Sequence, residues 1–174
     1  MKATILLATA MTISLFTSAQ DGGTKPPPAS PPASAKQTLK GGAVVSINYG
    51  QPSVKGRTIG TDLEPMPGKV WRAGANAATV FETSKDVRVQ GRDLPAGKYG
   101  FFVIDNGGEW TLIFNKVHDQ WGAYEYKESE DALRVNAKAG KAEPFSEKLT
   151  YNINKDGNVT IQWGAKEVKF RVEG

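Results

Sequence analysis

Between residues 149 and 172 apolar and polar side chains alternate in three successive runs, and that rhythm restricts what the chain can become. Leu149, Tyr151 and Ile153 alternate with Thr150, Asn152 and Asn154. Val159, Ile161 and Trp163 alternate with Thr160 and Gln162, and Val168, Phe170 and Val172 with Lys169 and Arg171. A period of two places each apolar set on one face of a half-buried strand. Val45, Ile47 and Tyr49 show the same pattern earlier. Turn residues separate the runs. Asp156-Gly157 supplies the positive φ angles of a tight hairpin, and Gly164-Ala165 is expected to close the next pair. Gly91-Arg92, Pro95-Ala96-Gly97 and Asn106-Gly107-Gly108 punctuate the middle of the chain. Residues 99–104 and 110–114 are apolar at successive positions, so both faces of these strands are expected to be covered at the centre. Residues 127–135 have room for one or two helical turns before a strand at Leu133-Arg134-Val135. The expectation is an all-β, antiparallel β-sandwich, jelly-roll or Greek-key-like, with at most one short helix.

The N-terminus does not share this rhythm. Lys2, an uncharged apolar run over residues 5–16 and the small residues Thr17-Ser18-Ala19 form the pattern of a secretory signal peptide over residues 1–19. Export to the periplasm or the extracellular space, with cleavage near Ala19, is the expected localisation. Residues 20–37 hold five of the ten prolines and little that is apolar beyond alanine. Such a segment cannot bury enough surface to offset its ordering entropy, and is expected to be a disordered tether. Residues 38–174 then form one domain, large enough to fold without staples. None are available, because the chain has no cysteine. No other apolar run approaches the length that a bilayer requires, so no membrane span is expected in the mature protein. The net charge of +4 is scattered among acidic residues, and no basic run with interleaved aromatics points to nucleic acid.

Few groups suit catalysis. His118 is the one histidine, which leaves too few nitrogen or sulfur ligands for a zinc, copper or iron site. No cofactor, metal ligand or catalytic residue is assigned. Glu109, Glu125, Glu128, Glu130 and Asp131 read as an acidic face on an exposed connection. Residues 68–84 are unusual, since Trp71 and Arg72 precede a small-residue run that includes Asn76. Small residues let a ligand or another backbone come close. Trp71 offers a stacking plane, Arg72 a rigid fork for a carboxylate or phosphate, and Asn76 both donor and acceptor. Trp121, Tyr124 and Tyr126 form a second aromatic group, and Tyr49, Lys55 and Arg57 a third. Converging on one sheet face, these nine residues would line a depression suited to a sugar, a peptide or an anionic group. The competing reading buries Trp71 and Trp121 in the core, with Arg72 and Asn76 satisfying an irregular crossover.

The segments SINYGQPSVKGRTIG, GKVWRAGANAATVFETS, LPAGKYGFFVI and EWTLIFNKVHDQWGAYEYKESEDALRV, in this order, resemble a bacterial exported family known only as domain-of-unknown-function family 2911. The resemblance spans residues 38–174 and implies a signal peptide and a β-rich domain, but no activity, substrate or catalytic residue. The stretch 63–68 departs from the family's commoner form and is one residue longer, which would alter ligand choice if that loop borders a pocket. Three functions fit these observations. The first is a non-enzymatic binding or interaction module of the cell envelope, with an envelope glycan, peptide or protein as partner. The second is a carboxylate-dependent hydrolase acting on envelope glycans or peptides. The third is a structural protein that pairs through its edge strands.

Overall fold

The computed structural model describes residues 29–174. The signal-peptide reading of residues 1–19 and the first half of the tether lie outside the described residues. Ten antiparallel strands follow: β1 (Pro32–Thr38), β2 (Val44–Gly50), β3 (Val70–Trp71), β4 (Ala75–Thr83), β5 (Val87–Val89), β6 (Arg92–Leu94), β7 (Gly97–Asp105), β8 (Glu109–Asn115), β9 (Asp131–Ile153) and β10 (Asn158–Glu173). The helix expected within residues 127–135 is a single 3₁₀ turn, Glu128–Glu130. Among the described residues no helix is long and apolar enough to cross a membrane.

The strands form one sheet in the order β1-β2-β4-β7-β8-β9-β10-β5-β6, with β3 also paired to β7. Its two limbs fold over one another. Phe101 of β7 stacks on Phe170 of β10 with ring centroids 6.0 Å apart, and Tyr49 of β2 meets Tyr151 of β9 at 4.6 Å. Neither pair of strands is adjacent in the sheet, so these rings meet across the interior. The all-β antiparallel class is therefore met, with the two layers of the sandwich supplied by limbs of one continuous sheet. The chain after β2 helps to close it. The Val54 N–H donates to the Glu147 carbonyl at 2.9 Å, and the Leu149 N–H to the Pro52 carbonyl at 3.1 Å. One interior holds side chains from both limbs, including Ile47, Phe81, Phe101, Trp110, Phe114, Trp163 and Phe170. Each such large apolar group contributes about 1.5–3 kcal/mol by leaving water.

Two expectations are corrected. Residues 32–37 are strand, not tether: β1 pairs with β2 from Pro32 opposite Gly50 to Thr38 opposite Val44. The Gln51 N–H donates to the Pro31 carbonyl, so Pro31 and Gln51 are a hydrogen-bonded pair and the nitrogen of Pro32 faces outward. A sheet's outer edge asks nothing of that nitrogen, which is why a proline-rich stretch can serve as an edge strand. The second correction concerns Gly164-Ala165, which does not turn the chain. β10 runs through it with a bulge, and Gly164 adopts φ +61. The reason lies in the phase of the alternation. Val159, Ile161 and Trp163 occupy odd positions, and Val168, Phe170 and Val172 even ones, yet all six are buried in the same interior. Only an irregularity in the register lets both halves face inward.

β7 and β8 are central, as their continuous apolar runs require. Phe101, Val103, Leu112 and Phe114 face the main interior, while Phe102 and Ile113 face a smaller cluster on the opposite side. Ala123 and Tyr126, from the loop between β8 and β9, pack on that second cluster. A half-buried ion pair between the buried Asp105 and the partly exposed Lys166 joins the end of β7 to β10 just past the bulge.

Candidate functional site

β3 and β4 lie end to end along β7. Trp71 is opposite Val103 and Thr79 is opposite Phe101, so residues 72–78 stand against Phe102 alone. This extrusion contains the Arg-Ala-Gly-Ala-Asn-Ala-Ala run that follows Trp71. Ala73 and Asn76 adopt φ angles of 50 and 67, which non-glycine residues hold only where their surroundings impose them. The imposing contacts are specific. The Ala73 carbonyl accepts from the Tyr151 hydroxyl at 2.6 Å and from the Thr79 hydroxyl at 3.0 Å. The Trp71 indole donates to the Gly74 carbonyl at 3.0 Å. Trp71 is itself buried, in a T-shaped contact with Trp110, so it holds the loop from the interior and is not an exposed stacking plane.

The loop projects Arg72 and Asn76. The Arg72 Nη1 donates to the Asn76 carbonyl at 2.6 Å, and the Asn76 side-chain amide donates to the Ser30 carbonyl at 3.1 Å. On one side of Arg72 is a cleft of about 190 Å³, lined by Arg57, Arg72, Glu64, Ser30, Trp71 and Trp163 among others. Arg57 is held there by its own turn, with Nε donating to the Val54 carbonyl at 3.1 Å and Nη2 to the Ser53 carbonyl at 2.8 Å. The Trp163 indole donates to the Glu64 carbonyl at 2.8 Å, and the Glu64 carboxylate accepts from the Met66 N–H at 2.6 Å.

On the other side of Arg72 lies the loop between β8 and β9. Ala77 pairs with Trp121, and the Ala78 N–H donates to the Gln120 carbonyl at 3.0 Å. Gly122 has φ +68, and a Cβ there would lie 2.8 Å from Arg72 Nη1 and 3.0 Å from the Tyr124 ring. Glycine is thus needed both for its backbone angle and for the space. The Arg72 guanidinium and the Tyr124 ring both border Gly122. Trp121 is 63% exposed and Tyr124 82%, so Trp121 is not a core residue.

Residues 30–172 match the family model described as a protein of unknown function, DUF2911. The chain belongs to this family. No curated protein and no solved structure matches the chain. Within this DUF2911 domain, two of the four segments that carry the resemblance, those around Arg72 and around Trp121, meet at Gly122.

Of the nine candidate residues, Arg57, Trp71 and Arg72 line one cleft, with Asn76 at its mouth through Ser30. Trp121 and Tyr124 adjoin Arg72 from the far side. Tyr49 is buried against Tyr151. Lys55 is exposed on its turn, where its backbone N–H donates to the Glu147 carboxylate at 2.7 Å. Tyr126 lies under the aromatic loop, against Phe102. Sequence reasoning missed Ser30, Glu64 and Trp163. The extra residue at 63–68 was the available signal for Glu64, since that loop does border the cleft. Nothing in a regular alternating strand marked Trp163.

Tyr126 belongs to the network that locks the aromatic loop. Its hydroxyl donates to Asp131 at 2.7 Å and accepts from Arg134 at 2.6 Å. The buried Asn115 amide bonds Asp131 at 2.7 Å and the Lys127 carbonyl at 3.0 Å. Burial, then the Asp131 carboxylate, pushes the Tyr126 phenol up to about 12, against the opposing pull of Arg134. A phenol whose folded value lies above its unfolded value near ~10 contributes stability below pH ~10 and loses it towards pH 12. Tyr126→Phe is therefore expected to flatten the decline of stability between these pH values. Urea melts of both proteins across that range check this, and superimposable slopes would contradict it.

Proposed function

We propose that this protein is an exported, non-enzymatic binding module whose cleft takes the carboxylate end, or a comparable anionic group, of an envelope peptide or glycan. The observation that carries the reading is the pair of arginines, Arg57 and Arg72, on one small cleft that Trp71 and Trp163 also line. Arg72 uses Nη1, and Arg57 uses Nε and Nη2, to hold themselves in place. Among the described residues the remaining N–H groups of both have no partner, and such forks suit a carboxylate in a bidentate geometry. A volume of about 190 Å³ is below the usual range for a whole drug-sized ligand, which favours a terminal group.

Glu64 supports a second reading, because an acid and Arg72 line the same cleft, as the hydrolase hypothesis requires. Its carboxylate already accepts the Met66 N–H, however, and among the described residues no other carboxylate lines that wall. The third reading would use β1, which stands at one end of the strand order.

Titration calorimetry with N-acetyl dipeptides is expected to show binding with a free C-terminal carboxylate and none with the amide. Arg72→Gln and Arg57→Gln should each weaken binding by about tenfold or more with little change in melting temperature. Equal binding of the amide, or unaltered affinity in both variants, would contradict the proposal. Export is checked by sequencing the N-terminus of the chain from the culture's extracytoplasmic fraction. The first residue is expected near Gln20, and a chain confined to the cytoplasm with residues 1–19 intact would contradict it.

A further inference from the structure

The loop between β8 and β9 rests on the outer side of the sheet and makes a step there. Val80 of β4 is paired with Asn48 of β2 on one flank and with Gly100 of β7 on the other. A Cβ at Gly100 would lie 2.6 Å from the Val117 carbonyl oxygen, so glycine lets the loop descend onto β7 at this point. Val117 and Trp121 of this loop are 40% and 63% exposed. Asn48 and Val80 alternate with the interior residues Ile47 and Phe81, so their side chains point away from the interior.

A groove of about 280 Å³ lies on this face, lined by Pro32, Asn48, Asn76, Ala77, Ala78 and Val80 among others. Trp121 stands at its border. Ala77 and Trp121 are opposite one another, and the flanking Ala78 N–H donates to the Gln120 carbonyl at 3.0 Å. They are therefore a non-hydrogen-bonded antiparallel pair, whose side chains lie on one face with Cα atoms about 4.5 Å apart. The indole rises beside Ala77, next to a floor of alanine, valine and proline.

The chemistry of the lining selects the ligand. No acid, lysine, arginine or histidine lines the groove. A charged group would give up its water there without meeting a counter-charge. The polar side chains are the exposed carboxamides of Asn48 and Asn76, and a carboxamide both donates and accepts hydrogen bonds. Hydroxyl groups do the same, so neighbouring hydroxyls match them. The backbone at Val80 is paired on both flanks, so an extended peptide finds no free ladder group there. The C–H face of a pyranose ring is apolar and weakly positive, and it packs on the negative face of an indole.

We propose that this groove binds a neutral sugar. One hexopyranose unit of an uncharged glycan packs on the Trp121 indole over the alanine floor, and Asn48 and Asn76 bond its hydroxyls. This inference does not depend on the anion-binding reading of the arginine cleft.

Titration calorimetry of the protein with neutral hexasaccharides, namely cellohexaose, mannohexaose, maltohexaose and chitohexaose, tests this. At least one is expected to bind saturably with a Kd of about 1 mM or tighter. Trp121→Ala and Asn48→Ala should each weaken that binding by about tenfold or more. Both positions are exposed, so the melting temperatures of the variants are expected to stay close to that of the protein. Hexagalacturonic acid and a decaproline peptide supply the charged and the peptide alternatives. The proposal would be overturned if no neutral hexasaccharide bound saturably, or if binding were confined to the uronate or the peptide. Binding that either variant retained in full would overturn it as well.

Discussion

The carbonyl oxygen of Ala73 is buried between the two limbs of the sheet, where it accepts hydrogen bonds from Tyr151 of β9 and Thr79 of β4. A buried backbone acceptor left unpaired costs about 1–3 kcal/mol, so these two hydroxyls decide whether residues 72–78 can leave the ladder at all. Because the loop is extruded there, Arg72 reaches the cleft, Asn76 reaches Ser30, and Ala77 and Ala78 reach the aromatic loop. Trp71 reinforces the same point through Gly74. The strand is thus interrupted at a position where the interior supplies substitutes for the ladder bonds it gives up.

Arg72 consequently has two environments. Its side chain lines a small cleft shared with Arg57, and its Nη1 lies beside Gly122 near Tyr124. The cleft and the aromatic surface are therefore not independent features of the DUF2911 domain, since one side chain borders both. The Asn115–Tyr126–Asp131–Arg134 network gives the aromatic loop its rigidity. It lies away from the cleft, which assigns it to positioning rather than to ligand contact.

Most of the sheet could be read from the alternation of residues, because a half-buried strand must repeat every two positions. The central placement of β7 and β8 followed from their unbroken apolar runs. β1 was hidden for a physical reason: as an edge strand it buries little beyond Ala33 and Ala35, so its composition equals that of a tether. The bulge at Gly164 was visible in principle, since the odd-to-even change between Trp163 and Val168 contradicts a shared face without an irregularity. A glycine beside an alanine concealed it by resembling a turn. Within the site, Arg72, Asn76 and Trp121 stood out because they interrupt the alternation. The pairing of Arg57 with Arg72 across a cleft, and the roles of Ser30 and Trp163, depend on contacts between residues far apart in sequence, which no local pattern encodes.

Hydrogen exchange in Tyr151→Phe tests most directly whether the Ala73 carbonyl holds the loop in place. The substitution removes one hydroxyl and leaves the ring, so the interior stays filled while the carbonyl loses its partner from the opposite limb. The account predicts a loss of about 1–2 kcal/mol in overall stability. It also predicts faster exchange at the Ala78 and Thr79 amides, which bond Gln120 and Arg72, than elsewhere in the sheet. Unaltered protection of these two amides in the variant would contradict it.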